Sequence, residues 1–251
     1  MLDRLFLYHP APWVDRDWAR LSGLPLEDAR FRAEDGPQLF GWYVRAVQTQ
    51  AVILWCHGNA GNIIHRLENL RELYRAGLSV LLFDYRGYGL SEGQPSEQGL
   101  YRDAIAAHDY LVTQQRISPE RLVLFGRSLG GAVAGEVALR RPAAGLILES
   151  SFPSVEAVAK IHYWGLPAHW LIRADFRLID RLPHLSLPSL VIHGDRDDLI
   201  PPVLGRAVFD ALREPKSFYL VKGADHNNLP FQGGSAYFAR LRAFAESVTR
   251  R

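Results

Sequence analysis

One cysteine, Cys56, stands alone in a chain of 251 residues. A lone thiol excludes an internal disulfide and any multi-thiolate metal site, and it fits a reducing compartment. An excess of one charge is also missing. Lys and Arg total 29 against 27 Asp and Glu, a formal net charge of +2, too balanced to point to a nucleic-acid partner. No uninterrupted apolar run approaches the ~18–20 residues that a membrane span needs. The longest, such as Ala51 to Cys56 and Leu78 to Phe83, have strand length. The first residues, Met1 to Pro10, carry no secretory apolar region followed by small residues. They are expected to pack onto the body, a short interfacial anchor being the alternative, and the protein reads as cytoplasmic. The chain has no internal repeat, low-complexity tract or long charged block.

What is present is an alternation. Short apolar or β-branched runs at Ala51–Cys56, Ser79–Phe83, Arg121–Phe125, Gly145–Leu148, Ser189–His193 and Ser217–Val221 are each bounded by turn residues. Such runs suit central strands covered on both faces. Helical stretches lie between them, at Ile63–Ala76, Ser96–Gln114, Gly130–Arg140, Pro202–Leu212 and Gly234–Thr249. The alternation predicts right-handed βαβ crossovers, an α/β fold and a mostly parallel central sheet flanked by helices. Asp28–Ala33 and Gln38–Val44, joined through Asp35-Gly36, read as an antiparallel edge hairpin. A single domain over residues 1–251 accommodates all of this. The exception is a Pro- and aromatic-rich stretch at about 152–188, expected to be a small helical cap over the carboxyl edge of the sheet, where ligands bind in open α/β folds.

Leu122-Val123-Leu124-Phe125-Gly126-Arg127-Ser128-Leu129-Gly130-Gly131 combines an apolar strand, a Gly-x-Ser-x-Gly turn and a helix start. A sharp strand-to-helix turn holds a serine in a strained conformation, so its neighbours must be small. Ser128 is the candidate nucleophile. The helix N-terminus favours a developing oxyanion, with the Leu129 amide as one donor.

A serine hydroxyl is a weak nucleophile without a base, and the base needs a carboxylate to orient it. Chain order in this kind of fold is Ser, acid, His. Among the later histidines, His226 alone follows the final strand, in a polar loop before the last helix. His193 ends an apolar strand and is expected to be a buried hydrogen-bonding residue. His162 and His169 fall in the cap and are expected to pack there, a substrate contact being the alternative. For the acid, His193-Gly194-Asp195-Arg196-Asp197-Asp198 offers three aspartates in one loop, and the residue pattern leaves all three open. One short loop without a second ligand group is a weak cation site. His57-Gly58-Asn59-Ala60-Gly61-Asn62 ends another strand, and its glycines let a backbone amide face the anion position. The Asn59 amide is the second candidate donor.

These blocks, together with Asp84-Tyr85-Arg86-Gly87-Tyr88-Gly89 and Glu149-Ser150-Ser151-Phe152, resemble in their joint order the α/β-hydrolase superfamily. More narrowly, the chain is similar to the BEM46-like, ABHD13/ABHD17-type serine hydrolases, from about Phe6 to the end. The resemblance implies that Asp197 is the triad acid, where the family's His-Gly-x-x-Asp pattern falls. It also implies that the Asp84–Gly89 block shapes the loops flanking the nucleophile. Against that resemblance, the chain is expected to carry neither the N-terminal membrane segment of many relatives nor the N-terminal cysteine cluster of members linked to protein depalmitoylation, so a depalmitoylase assignment is not implied.

The expected activity is carboxylic-ester hydrolysis on Ser128, His226 and Asp197, with no metal or organic cofactor. Thioester or amide cleavage on the same triad is the runner-up, and a non-catalytic binding protein on this scaffold is the rival of a different class. Phe152, Trp164 and Trp170 are candidate substrate contacts for a small-molecule ester with an apolar acyl or aromatic part, the alternative being that they form the cap's own core. Arg173, Arg177 and Arg181 recur at i, i+4 spacing, which reads as a solvated face or, alternatively, a contact for an anionic headgroup.

Overall fold

The computed structural model describes residues 7–48, 50–162 and 174–249. Eight strands form one sheet: β2 (Glu27–Arg32), β3 (Gln38–Val44), β4 (Val52–Cys56), β6 (Ser79–Asp84), β7 (Leu122–Arg127), β8 (Gly145–Glu149), β9 (Ser189–Gly194) and β10 (Lys216–Val221). Their order across the sheet is β2-β3-β6-β4-β7-β8-β9-β10. Among these strands β3 alone runs against its neighbours. Two residues near the N-terminus, β1 (His9–Pro10), pair in parallel with β5 (Ala60–Gly61) outside the main sheet.

The apolar runs are central strands because both of their faces are covered. Leu54, Leu81, Leu124 and Leu148 point into one core, with Leu100 and Ala104 of helix α3 (Glu97–Thr113) and Val133 of α4 (Leu129–Arg140). Their chain neighbours Ile53, Trp55, Leu82, Phe125 and Ile147 point into the other. There they meet Leu70 of α2 (Leu67–Arg75) and Leu241 of α7 (Leu229–Thr249). Alternate side chains of one strand thus enter opposite layers. Trp55 and Phe125 stack across β4 and β7 at 5.4 Å between centroids, worth about 0.5–1.5 kcal/mol beyond burial. On the edge strand β2 the pattern relaxes to alternation, with Ala29 and Phe31 buried while Arg30 and Arg32 face solvent.

Boundaries depart from expectation at informative places. Several strands run one or two residues further toward their carboxyl ends, so that Arg127, Glu149 and Gly194 are still paired in the sheet. The last helix starts at Leu229, and Gly234, read from sequence as its beginning, is an internal break with φ of 51°. Residues 63–66 form a 3-10 turn ahead of α2 rather than α-helix.

Of the segment read as a cap, α5 (Val155–His162) and two 3-10 turns at Leu178–Asp180 and Leu182–His184 are described. Trp164, Trp170, His169 and Arg173 lie outside the described residues. The returning chain is seated in the core, with Phe176 buried edge-on to Tyr8 and Tyr101. Asp175 pins it there: its carbonyl and carboxylate accept the amides of Val155 and Glu156, and its own amide donates to Glu97. The remaining described α-helices are α1 (Trp18–Ser22) and α6 (Pro202–Ala211).

Candidate active site

The loops that follow β4, β6, β7, β8, β9 and β10 all emerge at one rim. β4 pairs with β7, with Cys56 opposite Gly126, so the residues just beyond them, His57-Gly58 and Arg127-Ser128, emerge side by side. The helices after the two strands pack on opposite faces, which opens a crevice between the loops. A Cβ built on Gly58 would lie 3.6 Å from Cβ of Ser128.

Ser128 occupies the strained turn that its neighbours predict, with φ 52° and ψ −119°. A non-glycine residue there costs on the order of 1–3 kcal/mol. Fixed backbone bonds hold it: its amide donates to the Glu149 carbonyl at 2.8 Å, and its carbonyl accepts the Gly131 amide at 2.9 Å. Gly130 is required because a Cβ would stand 2.0 Å from the Cys56 carbonyl oxygen. The hydroxyl sits half-buried at the head of α4.

From that hydroxyl runs a chain of hydrogen bonds. Ser128 Oγ donates to His226 Nε2 at 3.1 Å, and His226 Nδ1 donates to Asp197 Oδ2 at 2.8 Å. The other carboxylate oxygen, Oδ1, accepts the Ile200 amide at 2.7 Å. Burial by itself would raise the Asp197 carboxyl, but the His226 hydrogen bond and charge, with the Ile200 amide, hold it below the ordinary range. Asp195 and Asp198 are exposed, and Asp195 turns away to accept the Gly223 amide. Of the three aspartates, Asp197 is the one brought to His226.

His193 is buried, as its place at a strand end implied. Its Nε2 donates to the Ile200 carbonyl at 2.8 Å, supporting the turn that carries Asp197. Burial keeps its imidazole below the usual histidine range, against the Ile200 carbonyl and Asp197. His162, in the segment read as packing, is exposed and donates to the Leu199 carbonyl at 2.8 Å, tying α5 to the acid loop.

The loop carrying Asn59 is held from three sides. Asn59 spends both ends of its side chain: its amide nitrogen donates to the Leu7 carbonyl, and its oxygen accepts from Tyr88 Oη at 3.0 Å. Asn62 donates to the carbonyls of Ala11 and Pro12 at 3.1 Å. His57 Nδ1 donates to the Gly58 carbonyl at 2.6 Å, and Tyr85 donates to the His57 carbonyl at 3.0 Å. The described N-terminal residues therefore pack on the body, against the very loop that flanks Ser128. The Asp84–Gly89 block does flank that loop, through Tyr85 and Tyr88. Burial pushes the Cys56 thiol up to about 12, so it carries no thiolate at neutral pH.

A second cluster, whose joint role the sequence reading did not foresee, lies beneath His226. Arg127 Nη2 donates to the His226 carbonyl at 2.8 Å, and Arg127 Nε stands 3.1 Å from Glu149 Oε1. Tyr237 donates to the other Glu149 oxygen. The signal available was a charged residue at the end of each of two otherwise apolar strands. Among the candidate substrate contacts, Phe152 is buried in the core just ahead of α5. The described arginines of the i, i+4 series are committed to carboxylates: Arg177 to Asp175 and Asp180, and Arg181 to Glu136. Among the described residues no helix is long and apolar enough to cross a membrane.

Comparison with known proteins places this geometry in context. A family model described as serine aminopeptidase, S33 matches residues 47–171. The chain is 32% identical over 249 residues to the alpha/beta hydrolase domain-containing protein WAV2 of Arabidopsis thaliana, covering 91% of this chain and 80% of WAV2. It is 33% identical over 217 residues to lysophosphatidylserine lipase ABHD12 of Danio rerio, covering 78% of this chain and 56% of that protein. The solved structure of the Pyrococcus furiosus esterase Pf2001 superposes with a TM-score of 0.79 at 17% identity, over 96% of this chain and 97% of that one. At that identity the likeness speaks for fold alone. The eight-stranded sheet with its one reversed strand, joined to the sequence match that spans four fifths of WAV2, makes this chain a member of the α/β-hydrolase family.

Proposed function

We propose that this protein is a serine hydrolase that cleaves carboxylic esters through an acyl-enzyme intermediate. One observation carries the reading: an unbroken hydrogen-bonded path from Ser128 Oγ through His226 to Asp197 at the sheet's carboxyl rim. In this reading His226 Nε2 takes the hydroxyl proton as Ser128 Oγ bonds to the ester carbonyl carbon. Asp197 holds the imidazole by Nδ1 and stabilises its positive form. The amides of Leu129 and Asn59 face the oxyanion, each donor worth about 3–4 kcal/mol in such sites. His226 returns the proton to the leaving alcohol, then activates water, which breaks the acyl–Oγ bond and restores Ser128. No metal or organic cofactor takes part.

The acyl side is assigned to Trp164 and Trp170 of the insertion, with Phe152 at its root, and this favours an apolar acyl or aromatic ester. A relative named as a lysophosphatidylserine lipase supports an acyl ester as the class. The family description as serine aminopeptidase favours a second reading, amide cleavage by the same groups.

Fluorophosphonate labelling of the wild type and of Ser128→Ala tests the chemistry. Labelling confined to the wild type is expected; labelling of both proteins or of neither would favour a binding protein on this scaffold. A panel of activated acyl esters, matched thioesters and aminoacyl amides then ranks the leaving groups by kcat/KM. Esters of medium or long chain are expected to lead. A sharp preference for short chains would remove the role given to Trp164 and Trp170, and faster amide turnover would install the second reading.

A further inference from the structure

We infer that Arg127, the residue that precedes the elbow serine, is a positioning residue for the base, with Glu149 as its buried counterion. The inference rests on the reading of Ser128 and His226 given above. It starts from register: β7 and β8 run parallel with Arg127 opposite Glu149. Two consecutive apolar strands thus each end in a charged residue, and both side chains are buried, at 9% and 1% exposure. Burying a guanidinium and a carboxylate is costly unless each is paired and hydrogen-bonded. A purely structural pair would be satisfied within the sheet. This one is not closed on itself.

The guanidinium is divided between two loops. Its Nε faces Glu149 Oε1 at 3.1 Å, an ion pair without hydrogen-bond alignment. Its Nη2 donates to the His226 carbonyl at 2.8 Å and reaches Asn227 Oδ1 at 3.4 Å. Glu149 is fixed in turn by Tyr237 from α7, and its own carbonyl accepts the Ser128 amide at 2.8 Å. Burial pushes the Glu149 carboxyl up, and Arg127 opposes this. The elbow and the histidine loop are therefore tied to one pair of residues, Glu149 through its carbonyl to the Ser128 amide and Arg127 through its side chain to the His226 carbonyl. Arg127 neighbours Ser128 in sequence and clamps His226 at a sequence separation of 99 residues. A forked, planar cation can span two acceptors in fixed geometry, whereas an ammonium cannot. Displacement of an imidazole by about 1 Å is enough to cost a rate of about 100-fold.

The test compares the wild type with Arg127→Lys, Arg127→Gln and Glu149→Gln. Lysine keeps a cation beside Glu149 but gives up the fork to His226, so it separates clamp from charge. For each protein that remains folded by near-ultraviolet circular dichroism, three quantities are read. These are kcat and KM on an activated butyrate ester, the rate constant of fluorophosphonate labelling, and the low-field proton resonance of the His226–Asp197 hydrogen bond. Arg127→Lys is expected to lose about 10- to 100-fold in kcat and in labelling rate. Its KM should stay within about twofold, and its low-field resonance should shift or broaden. A folded Arg127→Lys with wild-type labelling rate and an unchanged resonance would overturn the inference. Undiminished ester turnover by Ser128→Ala would instead remove the underlying reading, so the two failures are told apart.

Discussion

Gly223 donates its amide to Asp195 Oδ1 at 2.6 Å, so the aspartate two residues before Asp197 staples the loop after β9 to the loop after β10. Those two loops carry Asp197 and His226. Neighbouring carboxylates of one short turn thus have separate tasks: one joins the loops, the other meets the imidazole.

We predict that Asp197→Asn lowers kcat by about 10³- to 10⁴-fold while the protein stays folded, because the imidazole loses its orienting carboxylate. Asp195→Asn should cost about 1 kcal/mol of stability and change kcat/KM no more than a few-fold. Asp198→Asn should be close to neutral in both. Steady-state kinetics with thermal melts of all three decide it. A larger kinetic loss in Asp195→Asn than in Asp197→Asn would reverse the assignment.

Gly130→Ala tests how tightly α4 approaches β4. The new Cβ would meet the carbonyl oxygens of Cys56 at 2.0 Å and His57 at 2.6 Å. Both belong to backbone that cannot swing aside. A destabilisation of about 3 kcal/mol is expected, and a drop in Tm of about 6–12 °C for a chain of this size. Activity should fall with it, since the displaced carbonyls lead into the Asn59 loop. An unaltered melting temperature would refute this packing argument.

Tyr88→Phe removes one of the two bonds that hold the Asn59 side chain, leaving the triad untouched. If the Asn59 amide serves the oxyanion, kcat should fall about 10-fold. The affinity of a trifluoromethyl ketone inhibitor, which forms a tetrahedral adduct, should weaken in step while KM for substrate holds. Weakened substrate binding with unchanged inhibitor affinity would assign Tyr88 to the substrate pocket instead.

Arg86 links two carboxylates of unlike surroundings. It binds Asp35 near the surface and Asp103 in the core, at 2.7 and 2.8 Å. The hydrogen bond from Arg86 is the main cause that holds Asp35 at about 2, while burial pushes Asp103 upward against the same arginine. Since the folded carboxyl of Asp35 is depressed, its stabilising contribution is complete above the ordinary carboxylate range and is lost as pH falls toward 2. The stability gap between wild type and Asp35→Asn, read from urea melts, should therefore narrow between about pH 5 and pH 2. Arg86→Met should cost about 3–5 kcal/mol at neutral pH, because Asp103 would be left buried without its partner.

Sequence reading located the strands because a strand buried on both faces must be apolar along most of its length, and Val52–Cys56, Leu122–Arg127 up to its last residue and Gly145–Glu149 up to its last residue are so. It located Ser128 because a strained turn between strand and helix admits small neighbours only, a local demand. His226 followed from chain order. The loop of Asp195, Asp197 and Asp198 resisted, since three carboxylates within four residues share composition and local propensity. Family resemblance singled out Asp197, and the fold brought that residue to the imidazole.

By itself, then, the order of residues determined the elements, the α/β class and the elbow, all of which depend on interactions within a few residues of one another. Tertiary structure alone decided that Arg127 faces Glu149 and holds His226, that Asn59 is pinned between Leu7 and Tyr88, and that Asp195 turns to Gly223. Those pairings join residues 22 to 99 positions apart on different strands and loops. Their geometry is set by sheet register and by the direction in which each strand end releases its loop, quantities that no short window of sequence contains.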